Sequence, residues 1–378
     1  MGSIFRRLNR LLKGDVVLSV SAVLAAASAF LVPPSAAYLG YIDFRVLSLL
    51  WCLMAVAAGM RKAGAFEALC IRLLGLSKNS RGISLIMILI AFFMSMFLTN
   101  DVTLITLVPF TMLLWEKGFR AFGRSPARIL IILLVLETLA ANLGSMLTPF
   151  GNPQNLYLYT AYGFSLKSFL LLMLPYSAAS LFLLAAFGFR LPKLPVRAEL
   201  GAASIDKKAL ALYFVLFVLS LLSVARLLDF RLLLAVTAAS ALVFDREIFK
   251  KADYSLLLTF VFFFVFVGNM GRLEVVRNTL SALLLGHETA VAVLASQFIS
   301  NVPAALLLSD FAENGEALTV GVNIGGLGTL IASMASLISY KLYASRPYAD
   351  TKRYFAVFTV LNLVFLCALL ILKLLLPK

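Results

Sequence analysis

Residues that serve most catalytic and metal-binding chemistry are scarce in this chain. Its 378 residues include one histidine (His287), three cysteines and two tryptophans, and charged residues make up only 13%. One histidine excludes a histidine metal cluster, and the cysteines lack the CxxC spacing of a zinc site. The sequence has no HExxH motif, no Walker loop and no plausible Ser/His pair around His287. We therefore expect neither an enzyme nor a cofactor.

Apolar residues, in contrast, are in excess. They make up 62% of the chain, whereas soluble domains are about 45–50% apolar. The net charge of +15 would suggest a nucleic-acid partner for a soluble protein, but in a membrane protein it is typical of cytoplasmic loops. We therefore expect a lipid-embedded chain with no nucleic-acid partner. The clear candidate spans are residues 16–32, 44–60, 169–189, 210–224, 232–244, 256–267 and 355–372.

Four further apolar stretches are interrupted by short polar segments. The interruptions follow Leu98, Leu139 and Ile299, and the fourth lies within the stretch 318–340. Backbone at bilayer depth must be buried in protein or line a wet cavity when its hydrogen bonds are not made within a helix. These four stretches are therefore interpreted as two re-entrant hairpins and two broken helices.

The basic residues predict how the chain is oriented. Lysine and arginine mark loops on the cytoplasmic side, and the segment from Arg6 to Lys13 places the N-terminus there. The loop behind the second hairpin carries Asp310, Glu313 and Glu316 but no basic residue. With this charge pattern the two hairpins enter from opposite sides. We expect a multi-pass protein of the plasma (inner) membrane with a cytoplasmic N-terminus.

The two halves of the chain resemble each other. The segment Asn142-Leu143-Gly144 with Thr148 matches Asn323-Ile324-Gly325 with Thr329 at an offset of 181 residues. The hairpin tips, 97–100 and 298–301, match at an offset of 201 residues. A shared order of motifs with opposite sidedness favours an inverted repeat, which is typical of secondary transporters.

These patterns predict an all-α polytopic membrane protein with about 9 to 11 transmembrane helices in two inverted repeats. Each repeat has a re-entrant hairpin and a broken helix. The expected organisation is an N-terminal helix and extracellular loop (1–43), repeat 1 (44–190, hairpin 84–115, broken helix 129–160), a cytoplasmic linker (191–208), and repeat 2 with a C-terminal helix (209–378, hairpin 288–309, broken helix 317–344).

The polar residues at the interruptions are the candidates for binding a substrate or ion. Helices that begin at mid-membrane present unpaired N–H groups to anions, while carbonyl, Asn, Ser and Thr oxygens can coordinate a small cation. Glycines allow the backbone to approach a ligand. The expected metal content is none, apart from a sodium ion at the hairpin tips. The candidates are Thr99, Asn100, Asp101, Thr103, Asn142, Gly144, Thr148, Gly151, Asn152, Asn155, Ser300, Asn301, Asn323, Gly325 and Thr329.

Two acids lie within the apolar stretches and are candidates for ion coupling. Acids at bilayer depth are costly and usually functional. Asp101, at the first hairpin tip, can carry a proton, ligate sodium or cap a helix, while the second tip has Val302 at the equivalent position. Glu137 can pair with a base near Arg128 or face a neighbouring helix. No intramembrane lysine or arginine is evident as a partner for an anion.

Four motifs together resemble those of the ion transporter superfamily, and most closely its citrate-transporter-like and arsenite-permease-like branch, which includes bacterial permeases related to the divalent-anion/sodium symporters. The resemblance covers about residues 44–345. It implies a homodimer with a scaffold domain and a transport domain that moves in an elevator-like motion. An acid beside the tip asparagine is closer to the arsenite-permease pattern, where it suits proton coupling. The motifs are 97–103, 148–155, 300–304 and 323–329.

The function expected from these features is secondary active transport. The predicted partner is a small anionic solute, an anion or oxyanion, moved with protons or sodium. Two alternatives stay open at this point: a sodium/proton antiporter, and an arsenite/antimonite efflux permease. Transport driven directly by ATP is not expected, because the chain has no nucleotide-binding motif.

Overall fold

The computed structural model describes residues 16–77, 79–119, 127–196 and 204–376. Over these ranges the chain forms nineteen helices, and its one β pairing is an isolated bridge between Asn79 and Pro195. The predicted all-α polytopic fold is confirmed. The basic segment from Arg6 to Lys13, the loop residues 120–126 and the central part of the predicted linker, 197–203, lie outside the described residues. The helices are α1 (Val16–Leu31), α2 (Ala37–Tyr41), α3 (Phe44–Lys62), α4 (Ala65–Leu74), α5 (Ser80–Ser95), α6 (Asn100–Phe119), α7 (Ala127–Ser145), α8 (Pro153–Ala161), α9 (Leu166–Phe189), α10 (Lys207–Val224), α11 (Phe230–Phe244), α12 (Ile248–Lys251), α13 (Tyr254–Met270), α14 (Glu274–Leu284), α15 (Glu288–Ile299), α16 (Asn301–Ser309), α17 (Gly315–Gly325), α18 (Met334–Ala344) and α19 (Thr351–Leu375).

Not every apolar helix is long enough to cross a membrane alone. By length and composition five described helices qualify (α3, α7, α9, α10 and α19), and a sixth span is obtained if α13 and α14, bent by 103°, count together. Four shorter apolar helices are α1, α5, α11 and α15. Two of them, α5 and α15, belong to the hairpins, whereas α1 and α11 fall on the predicted spans 16–32 and 232–244. The figure of 9 to 11 spans stays a prediction.

The interruptions found in the sequence separate pairs of helices. The first hairpin consists of α5 and α6 and spans 80–119, and the first broken helix consists of α7 and α8. In the second half, α15 and α16 form the hairpin, and α17 and α18 the broken helix. The first hairpin is longer than the 84–115 expected, because Asn79 caps α5 by accepting the N–H of Gly82 at 3.0 Å.

Two short helices precede the hairpins and were not predicted. In the first half, α4 follows α3 after a turn at Gly64, whose φ of +79° favours glycine. In the second half, α14 follows α13 at the 103° bend and is amphipathic, with Glu274 and Arg277 exposed. A span-length hydrophobic pattern does not reveal such helices, because they are short and partly polar.

In each half of the chain, one glycine allows the first hairpin helix to pack closely against the broken helix. A Cβ added at Gly144 in α7 would lie 2.1 Å from the carbonyl oxygen of Phe92 in α5. A Cβ at Gly325 in α17 would lie 2.7 Å from Oγ of Ser296 in α15. Close helix contacts through small residues are a common way of packing helices in membranes. The glycines are therefore needed where α5 crosses α7 and where α15 crosses α17.

Most of the remaining helices flank this set. Helices α9 and α19 pack against the hairpin and broken-helix elements, whereas α13 packs against α1 and α3 packs against α10 and α11. Contacts between the two groups include α16 with α13 and α8 with α3. The polar residues of the interruptions therefore lie in the interior, close to the beginning of α13.

Candidate functional site

Each hairpin tip is bonded to the break of its own broken helix. The N–H of Asn100 donates to the carbonyl of Gly151 at 3.2 Å, and the N–H of Asn301 donates to the carbonyl of Ala332 at 2.9 Å. Gly151 and Ala332 are 181 residues apart, and the two asparagines are 201 residues apart. The offsets found in the sequence therefore recur in the backbone hydrogen bonds.

A second pair of bonds recurs with the same offsets. The hydroxyl of Thr148 donates to the Met96 carbonyl at 2.6 Å, and the hydroxyl of Thr329 donates to the Gln297 carbonyl at 3.1 Å. Both threonines were candidates for binding a ligand. Their hydroxyls instead satisfy a carbonyl near the end of the first hairpin helix, which a helix end leaves without a partner.

The two halves of the chain contact each other through a network of amides and hydroxyls. Oδ1 of Asn142, in α7, accepts from Nδ2 of Asn100 at 2.9 Å and from Oγ of Ser333 at 3.0 Å. Its Nδ2 donates to Oγ of Ser336 at 3.2 Å. One side chain in the first broken helix thus connects the first hairpin tip to the second broken helix.

A second network holds the break of the first broken helix. Nδ2 of Asn155 donates to the carbonyls of Met146 and Thr148 at 3.1 and 3.2 Å. Its Oδ1 accepts from Nδ2 of Asn323 at 2.6 Å, and Nδ2 of Asn152 donates to Oδ1 of Asn323 at 3.3 Å. These three candidates are used to satisfy buried polar groups at the breaks, as buried backbone requires.

A cavity lies where the hairpin tips and the second halves of the broken helices meet. Five helices begin at its wall (α6, α8, α13, α16 and α18), and α1 contributes Val17. Among the described lining residues there is no lysine or arginine, and the only charged residues are two aspartates. The lining residues are Val17, Asn100, Asp101, Pro153, Gln154, Asp253, Leu256, Thr259, Asn301, Val302, Pro303, Ser333 and Met334.

Three of the predicted site residues line this cavity: Asn100, Asp101 and Asn301. Oδ1 of Asp101 is buried and has no hydrogen-bond partner among the described residues. The side-chain amide of Asn301 is 5% exposed and forms no hydrogen bond within the described parts of the chain. Buried polar groups without protein partners are unusual. Both are therefore available to a ligand.

The N-termini of α16 and α18 are open. Neither has a side chain that caps it, whereas Asn152 caps α8 and Asp253 caps α13. The first N–H groups of an uncapped helix lack partners and carry a partial positive charge. Both uncapped N-termini belong to the second half of the chain. At α16 the N–H of Asn301 already donates to the Ala332 carbonyl and Pro303 has no N–H, so only part of its first turn is left with unbonded N–H groups.

The other predicted residues lie outside the cavity wall. Glu137 is fully buried between α7 and α6, where it accepts the hydroxyl of Thr111 at 2.7 Å, so it faces a neighbouring helix. Oγ1 of Thr103 is buried without a described partner. Thr99 accepts the N–H of Val102 at 3.5 Å. Gly151 packs against the Ser145 carbonyl, 2.2 Å from an added Cβ.

Ser300, at the second hairpin tip, has a strained backbone. Its φ is +73° and its ψ is 154°, a backbone conformation that residues other than glycine rarely adopt. Its hydroxyl is 3.5 Å from the Ala332 carbonyl. Local strain of this kind is often found at sites that bind or switch.

Sequence reasoning missed five polar residues of the site: Gln154, Asp253, Thr259 and Ser333, which line the cavity, and Gln297, which bonds to the second broken helix. Nε2 of Gln297 donates to the carbonyls of Gly325 and Leu327 at 3.0 Å, and its Oε1 accepts the N–H of Thr329 at 2.9 Å. The corresponding residue of the first hairpin is Met96. Gln297 could have been found from the sequence, because it is an amide residue in an otherwise apolar run. Asp253 precedes the predicted span 256–267 and Thr259 lies within it, and neither gave a comparable signal.

The helical construction and the central cavity define the class of protein. A helical bundle in which two hairpin tips and two interrupted helices meet at one cavity is built as a membrane transporter.

Comparisons with known proteins agree with this class. A family model described as "Citrate transporter" matches residues 4–315. An uncharacterized transporter of Methanocaldococcus jannaschii is 33% identical over 306 residues, which are 80% of this chain and 81% of the relative. The inner membrane protein YbiR of Escherichia coli is 30% identical over 348 residues, 89% and 90% of the two chains. A silicon efflux transporter of Oryza sativa is 33% identical over 164 residues, 43% and 30% of the two chains. The chain belongs to the citrate transporter family, and it is a multi-pass membrane transporter rather than an enzyme.

Proposed function

We propose that this transporter is a secondary active permease that moves a small anion or oxyanion coupled to protons or sodium, by elevator-type alternating access. The observation that carries the proposal is the cavity, where five helix N-termini meet Asp101 and the amide of Asn301. The proposal also takes the protein to be a homodimer in the plasma membrane, with its N-terminus in the cytoplasm.

None of the described residues that line the cavity is a basic side chain that could bind the anion. Each helix N-terminus has an effective charge of roughly +0.5, and two of those at the cavity, α16 and α18, are uncapped. The amide of Asn301 supplies a further donor at the same end of the cavity. Helix N-termini are established binding sites for anions. The substrate therefore lies against the second hairpin tip and Ser333.

Coupling follows from the position of Asp101. An ionised carboxylate in the cavity repels an anion, and a proton or sodium ion on it removes that repulsion. The two ligands therefore increase each other's affinity, because linkage between binding sites is reciprocal. Asp101 lies in the first turn of α6, and its unpartnered Oδ1 is the atom that binds the cation.

The helix packing suits a moving unit and a fixed unit. The hairpins and broken helices pack together with α9 and α19, while α1, α3, α10, α11 and α13 form the flanking group. The cavity reaches the start of α13, two residues beyond the basic pair Lys250 and Lys251, which the charge rule places on the cytoplasmic side. Under this proposal the structure corresponds to the state that is open to the cytoplasm.

The names of the relatives fit a small oxygen-rich solute. The family model is described as a citrate transporter, and one relative is named for silicon efflux. A second candidate function is sodium/proton antiport, which is favoured by a specific observation: the cavity has two carboxylates and no described basic residue.

Radiotracer uptake into proteoliposomes tests the proposal. Candidate anions are citrate, succinate, phosphate, sulfate and arsenite, each with a sodium gradient or a proton gradient. Asp101→Asn keeps the shape of the side chain and removes the charge, so uptake is expected to lose its dependence on the coupling ion. If this variant keeps the pH and sodium dependence of the wild type, Asp101 does not bind the coupling ion.

The anion site is tested with two asparagines. Asn301→Ala is expected to weaken anion binding at least about tenfold, the loss of about 1.4 kcal/mol. Asn362→Ala is the matched control, because Asn362 in α19 is buried and donates only to the Phe358 carbonyl at 2.9 Å, away from the cavity. Equal anion affinity in both variants would place the site elsewhere.

A further inference from the structure

Gln154 lies in the first turn of α8 and lines the cavity. It is 2% exposed, and its side-chain amide forms no hydrogen bond with any residue in the described parts of the chain. Buried amides are rarely left without partners. Because Gln154 is part of the cavity wall, a ligand in the cavity can bond to its amide.

The backbone of the same turn also leaves Gln154 with a donor. Pro153, the first residue of α8, has no N–H, and Oδ1 of Asn152 accepts the N–H of Asn155 at 2.9 Å. The N–H of Leu156 donates to the Asn152 carbonyl at 3.3 Å. Among the described residues, the N–H of Gln154 is therefore the one in this turn that has no partner. Gln154 thus offers donors from both its backbone and its side chain.

The second half of the chain shows that a glutamine is not required at this position. At the offset of 181 residues that relates the two broken helices, Gln154 corresponds to Ala335. Both are the second residue of their helix, α8 and α18. Ala335 is fully buried and does not line the cavity. A broken helix can therefore begin without an amide here, and the amide of Gln154 is a feature of the first half alone.

The charge around Gln154 favours an anion over a cation as its ligand. The N-terminus of α8 carries a partial positive charge, which repels a cation and attracts an anion. No lysine or arginine lines the described cavity wall, so neutral donors must bind a negative group there. An amide has two N–H donors for such a group. Asp101, in contrast, offers only acceptors when it is ionised.

We propose that Gln154 binds the transported anion directly, with its side-chain amide and its backbone N–H donating to a carboxylate or oxyanion oxygen. This inference rests on the proposed function. The anion then lies between Gln154 of the first half and Asn301 of the second half, so that both halves of the chain contribute to its binding. Asp101 stays the residue that binds the coupling ion.

The test compares variants of the full-length protein in two assays. The first is uptake of citrate, succinate, phosphate, sulfate and arsenite into proteoliposomes, and the second is thermal unfolding in detergent with and without each anion. Gln154→Met removes the amide at a similar side-chain size. It should raise the KM for the transported anion about tenfold or more. Its unfolding temperature without anion should not fall, because Gln154 has no hydrogen bond in the described protein to lose.

A second variant tests the sign of the ligand's charge. Gln154→Glu keeps the shape of the side chain and places a negative charge at the cavity wall. It should weaken anion binding more than Gln154→Met does, because two negative groups repel each other. Asn362→Leu is the matched control, since it removes a buried amide of α19 that does not line the cavity. The control should leave the KM unchanged.

Two results would overturn the inference. One is a Gln154→Met variant with the same KM as Asn362→Leu, and the other is a Gln154→Glu variant that binds anion as well as the wild type. A lower unfolding temperature with an unchanged KM would make Gln154 a structural residue. Wild-type protein that takes up none of the anions would contradict the proposed function itself, which is a different outcome from a silent Gln154 variant.

Discussion

Replacing Asn142 with alanine tests whether the contact between the two halves of the chain is built as described. The substitution removes three side-chain hydrogen bonds, to Asn100, Ser333 and Ser336, at 2.9, 3.0 and 3.2 Å. Asn100 is 5% exposed and Ser333 is 1% exposed, so water does not readily replace the lost partner. A buried donor left without a partner costs about 1–3 kcal/mol. Two such donors give a loss of about 2–4 kcal/mol in the free energy of unfolding, because the serine hydroxyl can rotate toward another acceptor.

The assay is thermal unfolding in detergent, followed by tryptophan fluorescence and by anion binding. Asn362→Ala is again the control, since it removes one hydrogen bond within a single helix. Asn142→Ala should lower the unfolding temperature by more than Asn362→Ala, and it should also weaken anion binding, because Asn100 and Ser333 both line the cavity. The reasoning fails if the two variants unfold at the same temperature, or if the Asn142 variant binds anion like the wild type.

Three further predictions concern single positions. Gly144→Ala should lower the unfolding temperature, because the new Cβ would lie 2.1 Å from the Phe92 carbonyl oxygen, at an overpacking cost of about 1–3 kcal/mol. Gly40→Ala is the control, because a Cβ added there would have no atom within 4 Å. Equal stability of the two variants would contradict the close crossing of α5 and α7. Ser300→Gly should raise thermal stability by relieving backbone strain of about 1–3 kcal/mol, and a lower unfolding temperature would show that the tip is not strained. Glu137→Gln should leave the pH and sodium dependence of transport unchanged, since the side chain lies outside the cavity; altered coupling would return Glu137 to the site.

The interruptions of the apolar runs were predictable from sequence because of a strict physical requirement. A polar break at bilayer depth needs partners for its backbone groups, and those partners are other breaks. The match of Thr148 with Thr329 showed which positions correspond. In the structure the two threonines form equivalent hydrogen bonds, because each donates its hydroxyl to a carbonyl of its own hairpin.

The role of each polar residue was harder to predict. Asn155, Thr148 and Asn323 have the composition of a binding site, but in the structure their side chains bond to backbone and to one another. A sequence shows that a polar group lies at a break, and it does not show whether protein or ligand satisfies that group.

A charge-displacement recording on proteoliposomes tests the central claim most directly. Jumps of sodium alone are followed by citrate, succinate, phosphate, sulfate and arsenite, at mildly acidic and mildly alkaline pH. The account predicts a current that requires one of the anions, depends on pH or sodium, and loses that dependence in Asp101→Asn. A response to sodium alone, with a matching change of internal pH and no effect of any anion, would contradict anion transport and establish a sodium/proton antiporter.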